Sequence, residues 1–248
     1  MSLIRKISRL SARHLACRWI PLQQERGVIS FSFDDVPASA CHQGAALLEQ
    51  YQARGTFYVC GGLTDGIEQS QPCHSVQDLQ RLACNGHEIA CHTYAHRNCA
   101  DTAIPALQAD WERNQAFFKT HQLPGAGFAF PFGAYGLLSK IAASRRFAYS
   151  RITGGGLQTG RADLAALRAQ ALYANTMTTE QMAALIRQAD QQRGWLIFYS
   201  HEVSAQPGPW GTSPQQLETA LRLAAESRCR LLTVQKAIHY FQHGDAGD

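Results

Sequence analysis

Short apolar runs alternate with longer amphipathic stretches along almost the whole of this 248-residue chain, and that alternation restricts the fold more than any other feature. Runs at 28–33, 55–60, 87–91 and 127–131 read as strands, and 40–52, 76–83 and 104–120 carry helical apolar spacing between them. The second half continues the pattern, with strands expected at 147–152, 171–174, 195–199 and 230–234. Helices are expected at 163–170, at 179–191 and from the Ser213 cap and Pro214 first turn to 227. Crossovers of this length join parallel strands. The expectation is therefore an α/β fold with seven or eight strands around a single barrel domain spanning 28–240, followed by a flexible tail at 241–248. Gly61-Gly62 and Gly154-Gly155-Gly156 read as turns, since neither lies in the sequence context of a phosphate loop.

Residues 1–27 read as a basic, helical leader. Arg5, Lys6, Arg9, Arg13 and Arg18 accompany Leu3, Ile7 and Leu10 at helical spacing. Such a helix could touch an anionic membrane surface peripherally or pack on its own protein. Hydrophobic residues make up 45% of the chain and charged ones 17%, with a net charge of +4. That balance describes a packed globular body and excludes a nucleic-acid-binding track. No stretch reads as a signal peptide or membrane span, so a cytoplasmic protein is expected, with membrane association through the leader as the alternative and no protein partner. The cysteines at 17, 41, 60, 73, 84, 91, 99 and 229 form no CxxC pair. They are expected to be reduced, with Cys60 and Cys91 packed beside the site.

The chemistry gathers where strands end. Asp34 and Asp35 close the first run, and adjacent side chains diverge, so one carboxylate can bind a cation while the other approaches an activated water. A turn-capping pair of aspartates is the alternative. His92 and His96 are four residues apart and would share a face if 93–95 forms a helical turn. With Asp35 they make an Asp-His-His donor set for a divalent metal. Zinc is favoured, and cobalt, nickel or iron is admissible. Glu88 follows His87 without completing HExxH, so it has no claim to that motif's base role. His201 follows the 195–200 run and could serve as a proton donor at the same barrel mouth.

Phe31-Ser32-Phe33-Asp34-Asp35, His92-Thr93-Tyr94-Ala95-His96, Phe130-Pro131-Phe132-Gly133 and Ile197-Phe198-Tyr199-Ser200-His201 occur in this order. Together they resemble the sequence blocks of the polysaccharide deacetylases, the NodB-homology or carbohydrate esterase 4 family, over roughly residues 28–240. The resemblance implies a distorted (β/α)7 barrel and metal-dependent removal of acetyl from an N-acetylated oligo- or polysaccharide containing N-acetylglucosamine. It further implies Asp34 as general base, Asp35, His92 and His96 as metal ligands, and His201 as general acid. Thr93 would steady the histidine turn, and the Phe132 backbone N–H would be an oxyanion donor.

One departure stands out. Where many members carry an arginine that orients the base, this chain has Ala129. The aspartate that braces the acid histidine is also hard to place, and Asp163 is its candidate. The aromatic residues Phe130, Phe132, Tyr135 and Trp210 could line a sugar groove, with at least one serving only in the core. The competing expectations are a deacylase for another amide or an O-acetyl ester, and a carbohydrate-binding barrel impaired in catalysis.

Overall fold

The computed structural model of the chain describes residues 3–68 and 70–244. Helix α1 (Leu3–His14) and strand β1 (Trp19–Pro21) precede the barrel. Strand β2 (Val28–Asp34) leads through a π-helical turn, Ala40–Gly44, into α2 (Ala45–Gln50) and β3 (Thr56–Val59). A small hairpin of β4 (Ile67–Glu68) and β5 (Gln71–Pro72) is followed by α3 (Val76–Cys84), β6 (Glu88–Cys91), α4 (Ile104–Thr120) and β7 (Gly127–Ala129). Next come α5 (Leu137–Arg146), β8 (Tyr149–Thr153), β9 (Arg161–Asp163) and β10 (Leu167–Ala171). The chain continues with α6 (Thr179–Gln191), β11 (Trp195–Ser200), α7 (Pro214–Glu226), β12 (Arg230–Leu231) and α8 (Val234–His243).

Parallel strands β2, β3, β6, β7, β8, β10 and β11 pair in that order, and β11 returns to β2, closing a seven-stranded barrel. One edge of β2 is divided between two partners. Its residues 28–29 meet β12, while Ser32, Phe33 and Asp34 meet β3.

The period-two rule explains the first run. Ile29, Phe31 and Phe33 belong to the core under the helices, while Val28 packs in the cluster formed with Tyr58, Tyr149 and Trp195. Ser30 and Ser32 share that second face, where Ser30 accepts from Trp195 Nε1 at 3.0 Å and Ser32 donates to the Phe198 carbonyl at 2.9 Å. Asp34 ends the same face at the mouth. Helices start where side chains cap them: Ser75 and Asp78 form a capping box on α3, Thr178 and Gln181 one on α6, and Ser213 caps α7.

Several expectations need correction. Residues 163–170 are not a helix: Leu167 and Ala169 alternate inward with exposed Arg168 between them, and the strand ends at Ala171 rather than starting there. Good helix formers in 164–167 masked a period of two. Helix α5 was not anticipated, and α8 begins at Val234, so residues 241–243 are helical instead of belonging to a tail. Residues 245–248 of that tail lie outside the described residues.

The leader is docked on the barrel. β1 pairs antiparallel with β9, and buried Lys140 on α5 donates to the carbonyls of Ala12 (2.8 Å) and Leu15 (3.2 Å) at the end of α1. Cations at a helix C-terminus satisfy its last carbonyls. Among the described residues no helix is long and apolar enough to cross a membrane.

Candidate metal and catalytic site

Because the barrel strands are parallel, their carboxyl ends share one face, and Asp34, Asp35, His92, His96 and His201 converge there. A cavity of about 310 Å³ is lined by Asp34, Asp35, His92, His96, Phe132 and His201, with Thr153, Tyr173, Tyr199 and Trp210 completing its wall. Asp35 Oδ1 lies 3.2 Å from His96 Nε2 and 3.6 Å from His92 Nε2. The donor atoms of the three residues fall within 4.8 Å of one another, a spacing that suits a shared divalent cation.

The fit extends behind the donors. His92 Nδ1 hydrogen-bonds the Ala129 carbonyl at 2.8 Å, which leaves Nε2 as the lone-pair nitrogen facing Asp35. Burial holds His92 neutral, its pKa lowered to about 3, and burial also lowers that of His96. Burial pushes the Asp35 carboxyl up to about 7, a tendency that a bound cation would oppose. Neutral imidazoles beside a carboxylate are the protonation states a hard or borderline cation requires.

The two histidines do not meet on a helical turn. Thr93 and His96 have positive φ (65° and 49°), and the segment between them is an irregular bend. Asp110 holds it, accepting from the N–H of Tyr94 at 2.6 Å and from Arg97 Nε at 2.9 Å. Thr93 Oγ1 accepts from the Arg97 N–H at 3.0 Å. Asp35, Val36 and Phe132 are also left-handed (58°, 54° and 60°), so backbone conformations that L-residues avoid collect around this one cavity.

Asp34 reveals what the sequence reading missed. Arg151, buried on β8, ion-pairs with Asp34 Oδ1 through Nη2. Its guanidinium lies 4.8 Å from the Tyr58 ring centre and 5.1 Å from that of Tyr199. Ala129 and Arg151 are direct partners in the β7–β8 ladder. The arginine absent at 129 thus has a counterpart one strand over, beside the alanine methyl. Burial alone would raise the Asp34 pKa, but the charge of Arg151 and its hydrogen bond lower it.

His201 Nδ1 lies 3.1 Å from the Trp210 carbonyl, and its Nε2 is 3.7 Å from Asp35 Oδ2. The partner that orients His201 is thus a main-chain carbonyl. Asp163 does not brace it. Asp163 pairs with Lys140 at 2.7 Å and accepts from the N–H groups of Arg18 and Ala165, fixing the leader to the barrel.

The aromatic candidates separate. Trp210 is 48% exposed and Phe132 64%, and both line the cavity. The Phe132 N–H has no hydrogen-bond partner among the described residues. Phe130 is fully buried between Phe128 and Tyr135 and cannot contact a sugar, because its strand parity directs it under the helices. Tyr135 is also buried, and it lines a neighbouring cavity instead. Tyr173 and Tyr199, not singled out from sequence, take places in the wall of this cavity. Cys60 contacts the His92 carbonyl at 3.0 Å, and Cys91 lies 3.1 Å from Asn114 Nδ2. The cysteines are all free thiols.

Comparison with known proteins supports the same assignment. Residues 22–149, just over half of the chain, match the model of the family described as polysaccharide deacetylase. A bifunctional xylanase/deacetylase of Pseudobutyrivibrio xylanivorans is 30% identical over 90 residues, which cover 36% of this chain and 14% of that protein. A chitin deacetylase of Colletotrichum lindemuthianum is 29% identical over 92 residues, covering 35% of this chain and 36% of that protein. These matches therefore span only a minor part of each relative.

Among solved structures, the peptidoglycan deacetylase PdaC of Bacillus subtilis aligns with a TM-score of 0.57 at 15% identity, over 90% of this chain and 94% of that one. A family 4 acetyl xylan esterase of Clostridium thermocellum, in complex with a cobalt ion, aligns with a TM-score of 0.59 at 18% identity, over 86% and 90%. At such identities the likeness establishes the barrel alone. Together with the match to the family model, the distorted (β/α)7 barrel and its Asp-His-His cluster place this chain in the polysaccharide deacetylase family.

Proposed function

We propose that this protein removes N-acetyl groups from an oligo- or polysaccharide containing N-acetylglucosamine. The observation that carries this reading is the pairing of Asp34 with Arg151, which keeps a buried carboxylate ionised beside the Asp35, His92 and His96 donor set and opposite His201. Asp35, His92 and His96 would hold a divalent cation, for which zinc is our assignment. Such a cation supplies Lewis acidity toward the acetamide carbonyl and lowers the pKa of bound water.

The remaining steps belong to the chain. Asp34 takes the proton of the attacking water, with Arg151 fixing its orientation and charge. The free N–H of Phe132 is placed in the wall to receive the negative charge that develops on the acetyl oxygen. His201, oriented through Nδ1 by the Trp210 carbonyl, gives a proton to the departing amine. The balance is one water consumed, one C–N bond broken, and acetate and a sugar amine formed. Trp210 and Phe132 offer apolar faces to the sugar ring. A cytoplasmic location and a substrate met during surface-glycan assembly are part of the same proposal.

The test is acetate release from short N-acetylglucosamine oligomers by chelated protein and after zinc is restored. Zinc-dependent release that falls by about 10²–10⁴-fold in Asp34→Asn supports the reading. Release insensitive to both chelation and Asp34→Asn overturns it. Release confined to O-acetylated sugars would reassign the same machinery to ester hydrolysis.

A further inference from the structure

We infer that a second, basic cavity beside the catalytic one is a subsite for a phosphate group carried by the sugar substrate. As a substrate subsite it rests on the deacetylase reading; as an anion site it stands alone. The cavity has a volume of about 430 Å³ and lies among α1, β1, α5 and the ends of β8, β9 and β10. Thr153, the last residue of β8, lines both cavities, so they adjoin at the barrel mouth.

Its charge is one-sided. Arg9 and Arg13 enter from α1, Arg161 from β9 and Arg168 from β10. The Arg161 guanidinium rests 4.2 Å from the centre of the Trp19 ring, and Arg168 donates to the Leu157 carbonyl at 3.1 Å. Among the described residues, none of these four arginines has a carboxylate within ion-pair distance. The one carboxylate in the wall, Asp163, is already neutralised by Lys140 and saturated by two backbone N–H groups.

Tyr135 adds a hydroxyl to the same wall. The residue is only 4% exposed and its ring packs on Phe130. Its hydroxyl makes no hydrogen bond to another described residue and is not sealed from solvent, so it opens on the cavity and can donate to an anion bound there. Gly154, with φ of 124° and open space where a Cβ would stand, leaves that side of the cavity as bare backbone.

Guanidinium forks bind tetrahedral and planar oxyanions through paired N–H donors. Four of them exceed what a single carboxylate requires and suit a multiply charged phosphate or diphosphate. Since the cavities adjoin, one molecule can place an acetamido sugar in the first and its phosphate in the second. A lipid-linked sugar, a nucleotide sugar and a phosphorylated glycan all offer this chemistry.

The first measurement is calorimetric titration of inorganic pyrophosphate into metal-free, chelated protein, for wild type, Arg13→Ala/Arg168→Ala and Asp34→Asn. Both arginine side chains are exposed, so their removal spares the core. Saturable, salt-sensitive binding is expected in wild type and in Asp34→Asn, weakened about 10-fold or more in the double variant. No saturable binding, or equal binding by the double variant, overturns the anion site whatever the enzyme hydrolyses.

The second measurement is zinc-dependent acetate release from N-acetylglucosamine 1-phosphate, a nucleotide-diphosphate N-acetylglucosamine, a prenyl-phosphate-linked N-acetylglucosamine and a neutral oligomer. A kcat/KM at least about 10-fold higher for one phosphorylated sugar, with a ratio approaching one in the double variant, supports the subsite and identifies the source of the phosphate. Equal kcat/KM values on phosphorylated and neutral sugars overturn its role in substrate binding. If no sugar releases acetate while pyrophosphate binds, the deacetylase reading fails and the anion site remains.

Discussion

Two buried carboxylates inside the barrel have opposite electrostatic fates. Asp34, at the mouth, and Glu88, toward the amino ends of the strands, are 4% and 7% exposed. Burial opposes ionisation of both, yet the Asp34 pKa is lowered and that of Glu88 raised. The difference is the counter-charge. Asp34 has the Arg151 guanidinium, while Glu88 accepts from the Tyr149 hydroxyl at 2.6 Å, from Thr56 Oγ1 at 2.9 Å and from the Gln235 N–H at 2.9 Å. The neutral donors around Glu88 favour its charged form but do not outweigh burial, whereas the buried cation beside Asp34 does. The barrel has one carboxyl held ionised by a buried cation and one that braces strands.

Removing the counter-charge should abolish the contrast. Arg151→Met is expected to lose about 3–5 kcal/mol of stability, because it leaves Asp34 buried and unpaired. A loss of about 100-fold in kcat/KM near neutral pH should accompany it, with the acid limb of the pH profile moved to higher pH as Asp34 holds its proton longer. Denaturant unfolding and a pH–rate profile measure the two effects, and Arg151→Lys should restore part of each. An unmoved acid limb would show that Asp34 does not owe its ionisation to Arg151.

Asp163, paired with Lys140, extends the comparison to a carboxylate outside the catalytic cavity. Asp163→Asn should cost about 3 kcal/mol, since Lys140 would be left buried without a counter-charge. The pH profile should stay in place, because Asp163 does not touch His201. A displaced alkaline limb would return Asp163 to the site.

Glu88→Gln should have the smallest effect, with kcat/KM within about threefold of wild type. The sign of the stability change distinguishes the two barrel carboxyls. The Asp34 contribution is present above its unfolded pKa of about 3.9 and is lost as pH falls through its lowered folded value. The Glu88 contribution is present below its unfolded pKa of about 4.3 and is lost as pH rises through its raised folded value. Thermal unfolding of Glu88→Gln across that range should therefore lack the high-pH decline contributed by Glu88.

What the sequence disclosed and what it hid divide along one line. Asp34, Asp35 and His201 were legible because they follow apolar runs, and His92 and His96 as a close pair of imidazoles, although an irregular bend and not the expected helical turn brings them together. Arg151 was hidden because its relation to Ala129 is lateral: the two are 22 residues apart along the chain and opposite each other across a ladder. Linear patterns carry parity, not register. Phe130 was misplaced although its parity, which the pattern does carry, directs it under the helices, and Asp163 because its partner Lys140 lies on a helix the pattern did not show. Residues 164–167 failed for a different reason, as local helix preference yielded to the pairing of β10 with β8 and β11.

The closing ladder has a consequence for how the molecule is made. β2 and β11 align from Val28 opposite Trp195 to Phe33 opposite Ser200, the longest pairing in the barrel and one spanning most of the sequence. A chain emerging from the ribosome therefore carries Asp35, His92 and His96 long before the ring can shut, and His201 arrives with the closing strand. Contacts so distant along the chain form slowly. A nascent chain can thus acquire its three metal-donor side chains well before it acquires the histidine assigned to proton donation, and capture of a cation can precede completion of the site.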